Sequence, residues 1–422
     1  MTETTAHRLA REHAAARDAI DPLRSYRDRF VFDDPDLIYF DGNSLGRLPL
    51  ATRAALHQAV DSEWGDELIR GWSHWANLPR QAGDEIAELI SAEPGEVVVS
   101  DSTTVNFYKL AAAAVAARPQ RRVIVTDDDN FPTDRYVLQG LAASAGLQLR
   151  VVHSDIDTGV SADTVARAVD SDTALVSLSH VAYRSGAMAD MPELTSIAHA
   201  AGALTLWDLS HSVGAVPVPL GPAGVDLAVG CTYKYLNGGP GSPAFLYVRR
   251  DLQTELRQPI WGWFGQQDPF EMGPDYQPVD GIERFQAGSP PALACRAVLH
   301  GAQMIREAGI ENVQAKGREL TRYAAQLADA WLSDHGVELA SPADPERRGC
   351  HITLRHPAAW QLCQALIAAK VIPDYRTPNR LRIGLAPIYT SFAEVHDGMA
   401  RLREILESDA HLRFPADPGR IT

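Results

Sequence analysis

The chain has 422 residues, 45% hydrophobic and 22% charged, an ordinary composition for a globular protein with room for two or three domains. Its net charge is −15 with no long basic block, which argues against nucleic acid or an anionic membrane as a partner. No apolar run approaches the roughly 18 residues of a spanning helix, the charged first 21 residues hold no signal-type apolar region, and the four scattered cysteines form no C-x-x-C pair, so a reducing, cytoplasmic setting is expected.

In chain order, a surface helix is expected over 6–19 and a short strand over 37–41, followed by the turn Gly42-Asn43-Ser44-Leu45-Gly46. Over 51–69, Leu56, Val60, Trp64 and Leu68 recur every four residues, which predicts one helix with Trp64 in the core. Gly71-Trp72-Ser73-His74-Trp75 then falls on a loop, where clustered tryptophans read better as a ligand wall than as filler. Strands over 96–100, 122–126, 147–153, 174–179, 204–207, 225–230 and 244–248 alternate with helices over 103–117, 133–145, 162–168 and 192–201. Such alternation predicts a mainly parallel sheet covered by helices. Residues 262–291, rich in Gly, Pro and Gln, break the pattern and read as an active-site or subunit-contact loop. Helices over 291–307 and 315–334 lead into a smaller αβ unit, made of 349–354, 358–370, 381–384 and 391–407. The last helix opens on a Ser391-x-x-Glu394 capping box, and its apolar stripe includes Phe392, Val395, Met399 and Leu402.

Chemistry concentrates in residues 204–241. Asp208 ends one strand, and Lys234 follows the end of another. In open parallel sheets, ligands bind beyond the carboxyl ends of the strands. A carboxylate and a lysine in that position suit pyridoxal 5′-phosphate: the carboxylate keeps the pyridine nitrogen protonated, and the lysine holds the aldehyde carbon and later moves protons. Asp208 alone reads equally well as a helix cap. Tyr233-Lys234 before Tyr235-Leu236-Asn237-Gly238-Gly239-Pro240-Gly241 argues against a surface lysine. Asp101-Ser102-Thr103-Thr104, between a strand and a helix, offers N–H and hydroxyl groups either to a phosphate or to an ordinary N-cap.

Trp207-Asp208-Leu209-Ser210-His211-Ser212-Val213-Gly214-Ala215, together with Thr232-Tyr233-Lys234-Tyr235-Leu236-Asn237, resembles the kynureninases, a family of fold-type I pyridoxal-phosphate enzymes. The resemblance extends to residues 39–46, 130–134 and 263–265 and to Leu381-Arg382-Ile383, and so spans nearly the whole chain. It implies an α/β fold with a large, mainly parallel seven-stranded domain (51–310) and a smaller domain (311–422) joined by the N-terminal segment (1–50). It implies Lys234, Tyr233 and Asp208 as catalytic residues. The cofactor phosphate would meet Thr103, Thr104 and Tyr233, Phe131 would stack on the pyridine face, and Asp134 and Ser179 would be further cofactor contacts. His211 would partner Asp208 from one helical turn further on.

The same resemblance puts Arg382 on the α-carboxylate of an amino-acid substrate, where bidentate geometry favours arginine over lysine. From the residues alone, Arg376, Arg380 and Arg382 are equivalent. Ser44, Trp72, Gly288 and Ser289 would complete the substrate site, and Trp263 and Ser289 would reach the cofactor of a neighbouring chain, implying a homodimer with shared sites. The implied reaction is hydrolytic cleavage of L-kynurenine, with 3-hydroxy-L-kynurenine as a second substrate, to L-alanine and anthranilate or 3-hydroxyanthranilate, in tryptophan catabolism and NAD biosynthesis. Trp72 and Gly288-Ser289 resemble the bacterial type, which favours the unsubstituted ring, although Ser289 departs from the Gly-Thr of that type and from the Ser-Asn of the animal type. Two other readings are a desulfurase or aminotransferase of the same fold, and a scaffold without activity; intact Asp208, His211, Tyr233 and Lys234 argue against the scaffold. No metal is expected: Asp127-Asp128-Asp129 reads as a solvated turn, His351 and His356 lack ligand spacing, and no H-E-x-x-H occurs. Cys350 opens an apolar strand and reads as a buried small residue.

Overall fold

Continuous apolar runs become the central strands of the computed structural model, which describes residues 9–417. The strands are β1 (Ile38–Tyr39), β2 (Val97–Val99), β3 (Val123–Asp127), β4 (Gln148–Val152), β5 (Thr173–Ser179), β6 (Leu204–Asp208), β7 (Leu227–Gly230), β8 (Phe245–Val248), β9 (Glu338–Leu339), β10 (His351–Arg355), β11 (Val371–Ile372), β12 (Asp374–Arg376) and β13 (Arg380–Gly384). A seven-stranded sheet runs in the order β2-β8-β7-β6-β5-β3-β4. Its pairings are parallel except for those of β8, which is antiparallel to both neighbours. β3, β6 and β7 are buried along their whole length, as befits parallel strands with helices on both faces. β4, at the edge, carries the exposed Gln148 and half-exposed Arg150, which discourage further pairing.

A second, antiparallel sheet has the order β12-β13-β10-β9. The helices Ile310–Leu332 and Ala359–Ala368 cover it, and Phe392–Glu407 packs on both of them. Its core also takes Leu9, Ala14, Ile38 and Phe40 from the start of the chain. The helix Arg11–Ala19 packs on the last helix, and the Asp18 carboxylate accepts from the N–H groups of Phe392 and Ala393 at 2.7 and 2.9 Å. The expected capping box is present: Ser391 Oγ accepts from Glu394 N–H, and Glu394 accepts from Ser391 N–H. Residues 6–8 of the predicted first helix lie outside the described residues.

Three expectations are corrected. The stretch 51–69 is not one α-helix. The α-helix stops at Gln58, and Ala59–Glu67 continues in wider π turns. A four-residue spacing tracks one face only at about 3.6 residues per turn, so the wider turns throw the stripe off the core. Trp64 is 58% exposed, with Val60 and Leu68 exposed beside it. Second, Trp72–Trp75 is a short helical turn rather than a loop. Third, the aspartate triplet is not solvated throughout. Asp127 ends β3 buried and accepts from Asp129 N–H at 2.9 Å, Asp129 is buried against Arg184, and only Asp128 faces outward, 3.0 Å from His153. The predicted helix over 315–334 begins earlier, at Ile310, directly after Gly309 ends the preceding helix with a φ of +79°.

Candidate active site

Three strand ends build the site: β5 ends at Ser179, β6 ends at Asp208, and β3 hands over to Asn130 and Phe131. The chain runs outward from β3 to β4 and then returns to place β5 on the other side of β3. That reversal is the switch point at which a crevice opens beyond the carboxyl ends. Ser179 Oγ donates across it to Asn130 Oδ1 at 2.7 Å. A cavity of about 250 Å³ lies here, lined by Thr103, Thr104, Phe131, Asp134, Ser179, Asp208, His211, Tyr233 and Lys234. All of these come from the sequence reading. His211, however, sits in a succession of turns after β6 and not one helical turn on.

Lys234 Nζ lies 2.8 Å from His211 Nε2 and 6.0 Å from the centre of the Phe131 ring. Burial, and after it the nearby Lys234 cation, hold His211 well below its ordinary pKa. His211 is therefore neutral, and Nε2 accepts from Lys234. Asp208 is anchored by the Ser210 N–H, which donates to its Oδ1 at 2.8 Å. Asp134 is fully buried against it. Burial first, then the Asp208 charge, raise the Asp134 carboxyl far above the usual range, so Asp134 keeps its proton. Ser102 caps the helix Thr103–Ala116 by accepting from Val105 N–H at 3.3 Å, and that N-terminus opens on the cavity. Its free N–H groups and the two threonine hydroxyls form an anion-binding end.

Arg376, Arg380 and Arg382 are now told apart. Arg380 pairs with Asp157 at 2.6 Å, away from the cavity. Arg382 is buried, ion-paired with Asp374, and donates to Ser44 Oγ at 2.8 Å and to the carbonyl of Tyr183, a cavity residue, at 2.7 Å. Arg376 reaches the same Asp374 at 3.0 Å. Six expected residues do not line the lysine cavity: Ser44, Trp72, Trp263, Gly288, Ser289 and Arg382. Trp72 and Trp263 both pack on Phe264, with ring centres 5.9 and 4.7 Å from it. Gly288 and Ser289 line a neighbouring cavity of about 330 Å³ that shares Ser102, Gly241 and Ser242 with the first. Among the described residues, no cluster of three or more His, Cys, Asp or Glu is placed to hold a metal ion.

Sequence reasoning missed Tyr183, whose ring stands edge-on to Phe131 at 5.3 Å, and Ser210, whose Oγ accepts from Cys231 N–H at 3.1 Å and so ties the ends of β6 and β7. Ser210 was within reach, two residues after Asp208 in a strand-end turn. Tyr183 carried no spacing signal.

Profile comparison matches residues 313–402 to the kynureninase C-terminal domain and residues 80–217 to the DegT/DnrJ/EryC1/StrS aminotransferase family. Kynureninase from Pseudomonas fluorescens is 42% identical over 405 residues, spanning 94% of this chain and 95% of that one. Kynureninase from Burkholderia pseudomallei (strain 1106a) is 42% identical over 408 residues, 95% of this chain and 96% of that one. The chain belongs to the kynureninase family. Its fold is that of fold-type I enzymes. A cysteine desulfurase from Thermococcus onnurineus NA1 superposes with a TM-score of 0.78 at 19% identity, covering 88% of this chain and 95% of that one. A cysteine desulfurase from Escherichia coli superposes at 0.79 with 15% identity, covering 93% and 98%. At such identities the likeness speaks for the fold alone, and the desulfurase and aminotransferase alternatives are not favoured.

The cofactor of a kynureninase is pyridoxal 5′-phosphate, and the residues present fit it. The anion-binding helix end suits the phosphate, Asp208 the pyridine nitrogen and Lys234 the aldehyde carbon. His211 Nδ1 is buried without a hydrogen-bond partner, an atom that a polar ligand in the cavity can satisfy.

Proposed function

We propose that the protein hydrolyses the Cβ–Cγ bond of L-kynurenine, releasing anthranilate and L-alanine. The observation that carries this reading is the convergence of Lys234, His211, Asp208 and Asp134 on one cavity in a chain that matches kynureninases end to end. Bound pyridoxal phosphate supplies the electron sink that stabilises negative charge developing next to the substrate nitrogen. Lys234 takes the substrate α-proton, with neutral His211 as the acceptor that orients its amine. Tyr233 lines the same cavity beside Lys234, and its phenol carries a proton at neutral pH. That suits it to protonate the departing three-carbon fragment, help typically worth about 10²–10⁴-fold. Arg382, fixed by Asp374 and Ser44, receives the α-carboxylate.

A homodimer, a cytoplasmic location and a place in tryptophan catabolism and NAD biosynthesis are part of the proposal. So is the division into 1–50, 51–310 and 311–422, supported by the hydrophobic cluster that joins both chain ends. Trp263 and Ser289 then serve a neighbouring chain's cofactor, which fits their position outside the lysine cavity. No helix among the described residues is long and apolar enough to cross a membrane.

In this proposal the ring is met by Gly288, which offers no side chain, Trp72, mainly an apolar wall, and Ser289, a hydroxyl in place of the animal type's amide, so a 3-hydroxyl on the ring meets no dedicated amide partner, although none of the three lines the lysine cavity of its own chain. Burying that hydroxyl unpaired costs about 1–3 kcal/mol, or roughly 5- to 150-fold in kcat/KM. Steady-state kinetics on both substrates should show kynurenine preferred by that factor. Equal or higher kcat/KM on 3-hydroxykynurenine would contradict the assignment of Trp72 and Gly288.

A further inference from the structure

Lys109 is a fully buried cation that the chemistry above does not use. It lies in the helix Thr103–Ala116, two turns in from the end that opens on the cavity. Its Nζ donates to Asp101 Oδ2 at 2.7 Å, to the Phe285 carbonyl at 2.5 Å and to Ser100 Oγ at 3.4 Å. All three N–H bonds of the ammonium are thereby used. A buried charge is costly unless paired this fully, and a hydrophobic side chain would fill the same space at lower cost.

The three acceptors belong to two different pieces of the site. Ser100 and Asp101 lead into Ser102, Thr103 and Thr104, which line the lysine cavity. Asp101 has a left-handed φ of +46°, uncommon for a residue with a side chain, and its carboxylate is gripped by Lys109 and by Ser100 Oγ at 2.6 Å. The Asp101 carbonyl accepts from Ala244 N–H at 2.8 Å, and Asn106 Nδ2 donates to the Ser100 carbonyl at 2.6 Å. Phe285 ends a short turn that leads into Gln286, Gly288 and Ser289, which line the adjoining cavity together with Asp101 and Ser102.

We propose that Lys109 is a positioning residue, which locks the turn 101–104 as a phosphate cradle and ties it to the segment carrying Gly288 and Ser289. The inference rests on the reading of Thr103 and Thr104 as the phosphate site. Without the ammonium, Asp101 turns its charge toward an incoming phosphate and the cradle loosens. The phosphate end of the cofactor then suffers, and the pyridine end does not.

The test compares pyridoxal 5′-phosphate with pyridoxal, which lacks the phosphate, as ligands of the full-length apo-protein, read by visible absorbance. Lys109→Met is expected to weaken pyridoxal phosphate about 10- to 150-fold, the equivalent of one charge-assisted hydrogen bond, and pyridoxal less than about threefold. Equal weakening of both ligands, or of neither, overturns the proposal, since a merely structural lysine would not tell them apart. Thr103→Val is measured in parallel. If it leaves the ratio of the two affinities unchanged, the phosphate reading itself fails. If it shifts the ratio and Lys109→Met does not, the role of Lys109 alone is lost. Should the methionine variant not fold, Lys109→Gln, which keeps a polar donor but not the charge, carries the same comparison with the same criteria.

Discussion

At the scale of single residues, two side chains make the sharpest claims. Lys234→Ala should remove both turnover and the visible absorbance of the bound cofactor; an unchanged band would show that another group holds the aldehyde carbon. Asp127 makes a claim about pH. Burial first, then the charge of Asp129, push its carboxyl up to about 7 from the usual 3.8. Between those values the folded protein holds a proton that the unfolded chain has released, so stability falls as pH rises through the window. Below about 4 both states are protonated and the penalty vanishes, whereas above about 7 it is present in full. Asp127→Asn should therefore gain on the parent as pH rises from about 4 to about 7, by an amount on the order of a few kcal/mol. Melting temperatures measured in parallel across that range check it, and a constant difference would show that Asp127 is not buried as described.

At the scale of elements, legibility followed periodicity. Strand runs such as VIVTD and LTLWD were plain because parallel strands buried on both faces are simply apolar. Lys234 and Asp208 were found because strand ends collect ligand chemistry. The stretch 51–69 failed because a four-residue spacing assumes regular turns, and Ala59–Glu67 widens them. The short strands β9, β11 and β12 were invisible because, unlike the equally short β1 and β2, they lie in no apolar run of three or more residues. The capping box at Ser391 was read correctly from a local pattern because its bonds are local. Ser391→Ala should cost about 1 kcal/mol, read as a lower denaturant midpoint at unchanged slope. A loss under about 0.3 kcal/mol would mean that Asp18, which already accepts from Phe392 and Ala393, caps the helix by itself.

At the scale of the whole molecule, long-range contacts decide what no local pattern records. Arg382 was indistinguishable from Arg376 and Arg380 until the fold set it against Asp374 and Ser44, the latter 338 residues away in sequence. Trp64, Trp261, Phe270 and Met272 are 58–73% exposed, apolar surface that the proposed homodimer would cover in part. Sedimentation should find a species of twice 45.9 kDa, and Trp261→Asp should shift it toward the monomer with loss of activity. A monomer that stays fully active on dilution would remove the shared site.

The chemistry itself is tested most directly by product stoichiometry. The purified holo-protein, given L-kynurenine and no keto acid, should release one anthranilate and one L-alanine for each kynurenine consumed. Absence of anthranilate, with sulfide released from cysteine or an added keto acid consumed instead, would contradict the proposed hydrolysis.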